Sequence, residues 1–93
     1  MEVRYYRDTK TGLPHIYQHG VSEQEVEEIL ERPGEDRPGY NGARVAIGQT
    51  LDGRYLRVIY TQKGLNDLFV ITAYALRGKP LRAYKRRHRI KRQ

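Results

Sequence analysis

The 93-residue chain contains no cysteine and no tryptophan, a single phenylalanine, a single methionine and, at Ser22, a single serine. Without cysteine there is no disulfide, no thiol nucleophile and no thiolate metal site, which fits a reducing compartment. Ser22 has the position of a helix cap, so no serine-based nucleophile is credible either. The nine glycines are scattered at turns, and none builds a GxGxxG or P-loop string that would cradle phosphates. No apolar run approaches the roughly 20 residues of a membrane span. Residues 1–10 carry Glu2, Arg4, Arg7, Asp8 and Lys10 in place of the apolar stretch of a secretory signal. The expected location is therefore the cytoplasm, and the length allows one domain with one modest core.

What the chain does have is charge and tyrosine. Of its 18 lysines and arginines, nine (Arg77, Lys79, Arg82, Lys85, Arg86, Arg87, Arg89, Lys91 and Arg92) fall in the last 17 residues, where there is no carboxylate. Like charges this crowded gain most from a polyanion that sheds its own counterions on binding, so RNA, DNA or an acidic protein is the expected partner. The segment 23–36 is the reverse, with seven acids against Arg32 alone. Glutamates on the outer face of an amphipathic helix account for most of that run.

Val3, Tyr5 and Tyr6 suggest a short first strand ended by turn-prone residues 8–12, and Leu13 to His19 reads as one or two helical turns closed by Gly20. Ser22 and Glu25 have capping-box spacing, with Val21 placed to staple onto Val26, so a helix is expected from about Glu23 to Arg32 with Val26, Ile29 and Leu30 on its core stripe. Pro33-Gly34 stops it. Residues 35–43, with Pro38, Gly39 and Gly42, read as a loop. Period-two alternation then marks strands over Arg44–Thr50 and Tyr55–Thr61 joined by an Asp52-Gly53 turn. A third strand, Leu68–Ala75, is apolar on both faces, as a central strand covered on both sides would be. Pro80 opens a final helix on which Leu81, Tyr84 and His88 share a face among arginines. The expected fold class is α+β: a compact antiparallel sheet of three to four strands, packed with one or two N-terminal helices and a basic C-terminal helix. The segment 86–93 is expected to fray, since it has no acids to relieve its charge.

His15 and His19 are four apart, but no third ligand has suitable spacing, so a hydrogen bond from His19 to a free carbonyl at the helix end is the favoured structural role. The remaining arginine, lysine, tyrosine and histidine suffice for one metal-free reaction. RNA carries its own nucleophile, the 2′-hydroxyl, and a protein need only align it, neutralise the phosphorane and move protons. In that scheme Arg44, Arg57 and Arg77 would hold phosphate, while Tyr74, Tyr84, Lys79 or His19 would position the nucleotide or carry a proton. Arg82, Lys85, Arg86, Arg87 and Arg89 would extend the nucleic-acid surface, and tyrosines among them can stack on unpaired bases. No cofactor or metal is called for.

The order His19-Gly20-Val21, then an acidic helix, Arg44-x-x-Ile47-Gly48 with Thr50, Asp52-Gly53-Arg54, Leu56-x-Val58-x-Tyr60, Ile71-Thr72-Ala73 and the Lys79, Arg82, Tyr84 tail resembles the BrnT-type toxins and the neighbouring DUF4258 group, over about residues 15–88. The resemblance implies a RelE-like fold across the whole chain, an endoribonuclease that suppresses translation, and a partner antitoxin covering the cationic face. The chain departs from that pattern where Tyr74 follows Ile71-Thr72-Ala73 in place of the arginine typical of the family, which puts an altered or inactive site among the outcomes. Catalysis is thus assigned to Arg57, Tyr74, Tyr84 and His19. The alternatives are a non-catalytic RNA- or DNA-binding module and a module that binds an acidic protein.

Overall fold

A computed structural model describes residues 1–89. Five strands, β1 (Glu2–Tyr5), β2 (Glu35–Pro38), β3 (Arg44–Gln49), β4 (Tyr55–Gln62) and β5 (Asp67–Ala75), form one sheet in the order β1-β5-β4-β3-β2. Two helices accompany it, α1 (Glu23–Glu31) and α2 (Gly78–Arg89), with a 3₁₀ turn at His15–His19 and another at Tyr40–Gly42. The class is α+β, but the sheet exceeds the three to four strands expected and is mixed: β1 runs parallel to β5 while every other pairing is antiparallel. β2 was concealed in the stretch read as a loop. Its sequence Glu-Asp-Arg-Pro has no apolar alternation, and as an edge strand it needs only one partner, β3, and tolerates Pro38 at its end.

The capping box forms as its spacing requires: Ser22 Oγ accepts from the Glu25 amide and the Glu25 carboxylate accepts from the Ser22 amide, both at 3.1 Å. The cap sets the start of α1, whose Val26 and Ile29 are fully buried against one face of the sheet. That face supplies Ala46, Leu56, Val58, Tyr60, Leu68, Val70 and Ala73, and together with Ile16 and Val21 they make the main core. Gly48 on β3 admits the helix closely, since a Cβ there would lie 3.3 Å from Ile29 Cδ1.

A register shift between Ile59 and Tyr60 adds a residue to β5 and leaves Ile71 37% exposed. The expectation of a strand covered on both sides therefore holds for one face only. β5 is paired on both edges, yet its second face stays partly open. The strand with two neighbours on each side is β4. No helix among the described residues is long and apolar enough to cross a membrane.

Candidate functional site

The second face of the sheet carries Val45, Ile47 and Gln49 from β3, Tyr55, Arg57 and Ile59 from β4, and Thr72 and Tyr74 from β5, by the period-two alternation of strands. α2 covers part of it. Ile47, Leu76 and Tyr84 form a small buried cluster, flanked by Val45, Tyr55 and Leu81. Glu35 on β2 anchors the far end of the helix by accepting two hydrogen bonds from Arg87, at 2.6 and 2.9 Å, and one contact from His88 Nε2 at 3.0 Å. These bonds, Arg87's first, hold the Glu35 carboxyl below its ordinary value. The helix also passes very close to the chain between α1 and β2: an added Cβ on Gly34 would overlap Tyr84 Oη.

Beside the root of α2, three side chains remote in sequence converge. The His19 and Tyr74 rings meet edge to face with centroids 6.0 Å apart, and the Arg57 guanidinium carbon lies 6.0 Å from the Tyr74 centroid. Arg57 Nη1 donates to Tyr74 Oη at a long 3.5 Å. Arg57 Nε and Thr72 Oγ1, on the same face, are buried and have no hydrogen-bond partner among the described residues. A buried guanidinium N–H without an acceptor is costly, and an anion reaching the site would satisfy it. His19, Tyr74, Ala75 and Arg77 line an opening of ≈ 310 Å³ there.

Local structure explains how His19 arrives. Asp8 braces the 3₁₀ turn, accepting from His15 Nδ1 at 2.8 Å and from Gln18 Nε2 at 2.6 Å. The His15 ring then packs against His19 with centroids 5.1 Å apart. Gly20, at φ 69°, closes the turn with its own amide, so the expected bond from His19 to a helix-end carbonyl is absent among the described residues and the imidazole is exposed. Among those residues no third ligand joins the two histidines to hold a metal.

The other residues chosen from sequence separate into two groups. Tyr84 packs in the buried cluster with Ile47 and Leu76. It is 7% exposed, its ring packs against Tyr55 and His88, and burial followed by the field of Glu35 pushes its phenol up, so it keeps its proton. Arg44 donates to Asp36 at 3.0 Å, and Asp36 also accepts from Tyr60 at 2.5 Å; burial and this bond push Tyr60 up to about 12. Arg44 belongs to the α1 side of the sheet, opposite Arg57, because its register partner is Tyr60. Arg44 and Arg87 are thus committed to carboxylates within the fold. By contrast Arg77, Lys79, Arg82, Lys85, Arg86 and Arg89 make no salt bridge among the described residues. Among the described residues, only Arg54 pairs with a glutamate of α1, Glu25, at 2.9 Å.

Sequence reasoning missed Tyr55, Thr72 and Glu35. Tyr55 was legible in principle, since alternation places it on the face of Arg57. Thr72 and Glu35 gave no signal, because each matters only through a neighbour brought from another strand or helix. No protein-family model matches this chain, and no curated protein or solved structure is significantly similar to it.

Proposed function

We propose that this protein is a metal-independent endoribonuclease of the BrnT and RelE-like toxin kind, acting in the cytoplasm on RNA and held in check by a partner antitoxin. The observation that carries the reading is the convergence of His19, Tyr74 and the under-bonded Arg57 beside a cationic helix. Imidazole is the side chain suited to accepting a proton at neutral pH, and His19 takes the proton of the ribose 2′-hydroxyl. The 2′-oxygen bonds to phosphorus, and Arg57 neutralises the charge that gathers on the non-bridging oxygens of the phosphorane. Tyr74, hydrogen-bonded to Arg57, gives its proton to the departing 5′-oxygen as the P–O5′ bond breaks, leaving a 2′,3′-cyclic phosphate and a 5′-hydroxyl. In this scheme Tyr74, which stands where the resembled family has an arginine, is the proton donor. Tyr84 serves as a packing residue that keeps α2 in place.

Incubating purified protein with a ribo-oligonucleotide in EDTA, and with its 2′-deoxy counterpart, tests the reading. Cleavage of the first alone with a cyclic phosphate terminus is expected, and it should fall by about 10²–10³-fold in Arg57→Ala and fall in His19→Ala as well. Intact RNA at high protein concentration rejects catalysis. Six cations on and beside α2, from Arg77 to Arg89, make no salt bridge among the described residues and favour a second reading, a non-catalytic nucleic-acid-binding module, which predicts intact RNA bound with an affinity that falls steeply with salt.

A further inference from the structure

Arg82, Lys85, Arg86 and Arg89 follow the spacing i, i+3, i+4, i+7, so they form one stripe about 10 Å long on α2. The stripe faces a groove of ≈ 640 Å³ whose opposite wall is Gln49 and Tyr55 from the hairpin end of β3 and β4. Four cations stacked along one helix repel one another, and no carboxylate among the described residues pairs with any of them. The buried side of the same helix is fixed by Tyr84 in the core and by Arg87 and His88 on Glu35, which prevents α2 from rotating the stripe away. Tyr55 adds a partly buried aromatic ring, with Lys85 Nζ 5.1 Å from its centroid. A row of cations set against an aromatic ring is the combination that tracks a single-stranded backbone while a base stacks. An acidic peptide would use the charges but not the open side of the ring, whose other side packs against Tyr84.

We infer that this groove is a second subsite, separate from the His19–Tyr74–Arg57 cluster, that holds an unpaired stretch of nucleic acid with its phosphates on Arg82, Lys85, Arg86 and Arg89 and a base on Tyr55. Tyr55 and Arg57 share a face of β4, two residues and about 7 Å apart, so the subsite leads directly to the proposed scissile position. The inference rests on the nucleic-acid reading above and names its substrate class: single-stranded rather than duplex. A duplex keeps its bases stacked inside and offers Tyr55 no free ring.

Fluorescence anisotropy with a labelled eight-nucleotide 2′-O-methyl RNA, which lacks the nucleophile and cannot be cleaved, tests it against the same sequence annealed into a blunt duplex. Binding of the single strand at least tenfold tighter than the duplex is expected. The exposed pair Arg82→Gln/Arg86→Gln should lower single-strand affinity at least tenfold and reduce the salt slope by about 1.4, at roughly 0.7 per cation. Tyr55→Leu should lose about tenfold for the single strand alone, while Tyr55→Phe, which keeps the ring and the packing, should bind as the parent does. Equal affinity for the duplex, unchanged affinity in the arginine pair, or displacement of the probe by polyglutamate at matched charge overturns the subsite, the last in favour of an acidic protein. If the probe binds as expected while ribo-oligonucleotides stay intact, the subsite stands and the catalytic reading falls. If RNA is cleaved but the arginine pair leaves KM unchanged, the subsite alone falls.

Discussion

The two faces of the sheet are made from the same strands and differ in almost everything else. The face under α1 is aliphatic and closed, with Val26, Ile29, Leu56, Val58 and Val70 at zero exposure. The cations at its margins are matched, Arg44 to Asp36 and Arg54 to Glu25. The face under α2 has a buried cluster of three residues and two tyrosine rings and, among the described residues, an arginine with an unpartnered N–H and a helix whose outward stripe has no counter-charge. The first face holds the fold together. The second leaves polar groups unsatisfied, which a stable domain tolerates where something else is meant to bind.

Substitutions that separate the faces sharpen this contrast. The largest effect is expected from Arg57→Ala, which should lower RNA cleavage by about 10²–10³-fold. Its urea midpoint should stay near the parent's, and an equal loss of stability would return Arg57 to a structural role. Next, Ile29→Ala opens a cavity in the closed face and should cost about 2–5 kcal/mol in urea unfolding. Ile71→Ala, at the bulge on the open face, should stay within about 0.5 kcal/mol, and similar costs for both would erase the distinction drawn here.

Gly34→Ala should act between these, because the new methyl displaces Tyr84. Strain of about 1–3 kcal/mol is expected, seen in hydrogen exchange as lost protection confined to α2 while α1 keeps its own.

The anchor of α2 also has a pH signature. The folded-state value of Glu35 lies below the ordinary 4.5, so its contribution is complete above that value and is lost as the pH falls through the folded one. Acid titration followed by exchange at α2 should therefore show the helix loosening below about pH 4.5 in the parent, and Glu35→Gln should abolish that pH dependence. The smallest effect is expected from Arg44→Gln, which should leave the salt dependence of RNA binding unaltered, since that guanidinium is already committed to Asp36.

Local chemistry made much of this architecture readable. Ser22 and Glu25 announced α1 through a bond pattern internal to four residues, and Asp52-Gly53 announced a hairpin because a tight turn needs a residue at positive φ, where Gly53 sits at 95°. β2 escaped notice because its partner, not its composition, makes it a strand. Of the residues singled out by type, His19 and Arg57 each lie against Tyr74. Which cations were spoken for was not legible, since Glu35 reaches Arg87 only after β2 joins the sheet, and Asp36 reaches Arg44 by the same pairing. The acidic run thus mixes helix surface with three carboxylates, Glu25, Glu35 and Asp36, that neutralise specific arginines.

The parallel pairing of β1 carries a kinetic consequence. Glu2 lies beside Asp67, and Tyr5 beside Val70, so the first strand has no partner in the sheet until β5, 65 residues further along, is in place. Closing so long a loop is entropically late, and β1 should be the last strand to zip up. Until it does, the β5 edge stays bare, and a nascent molecule is most vulnerable to strand-swapping with a neighbour during that interval.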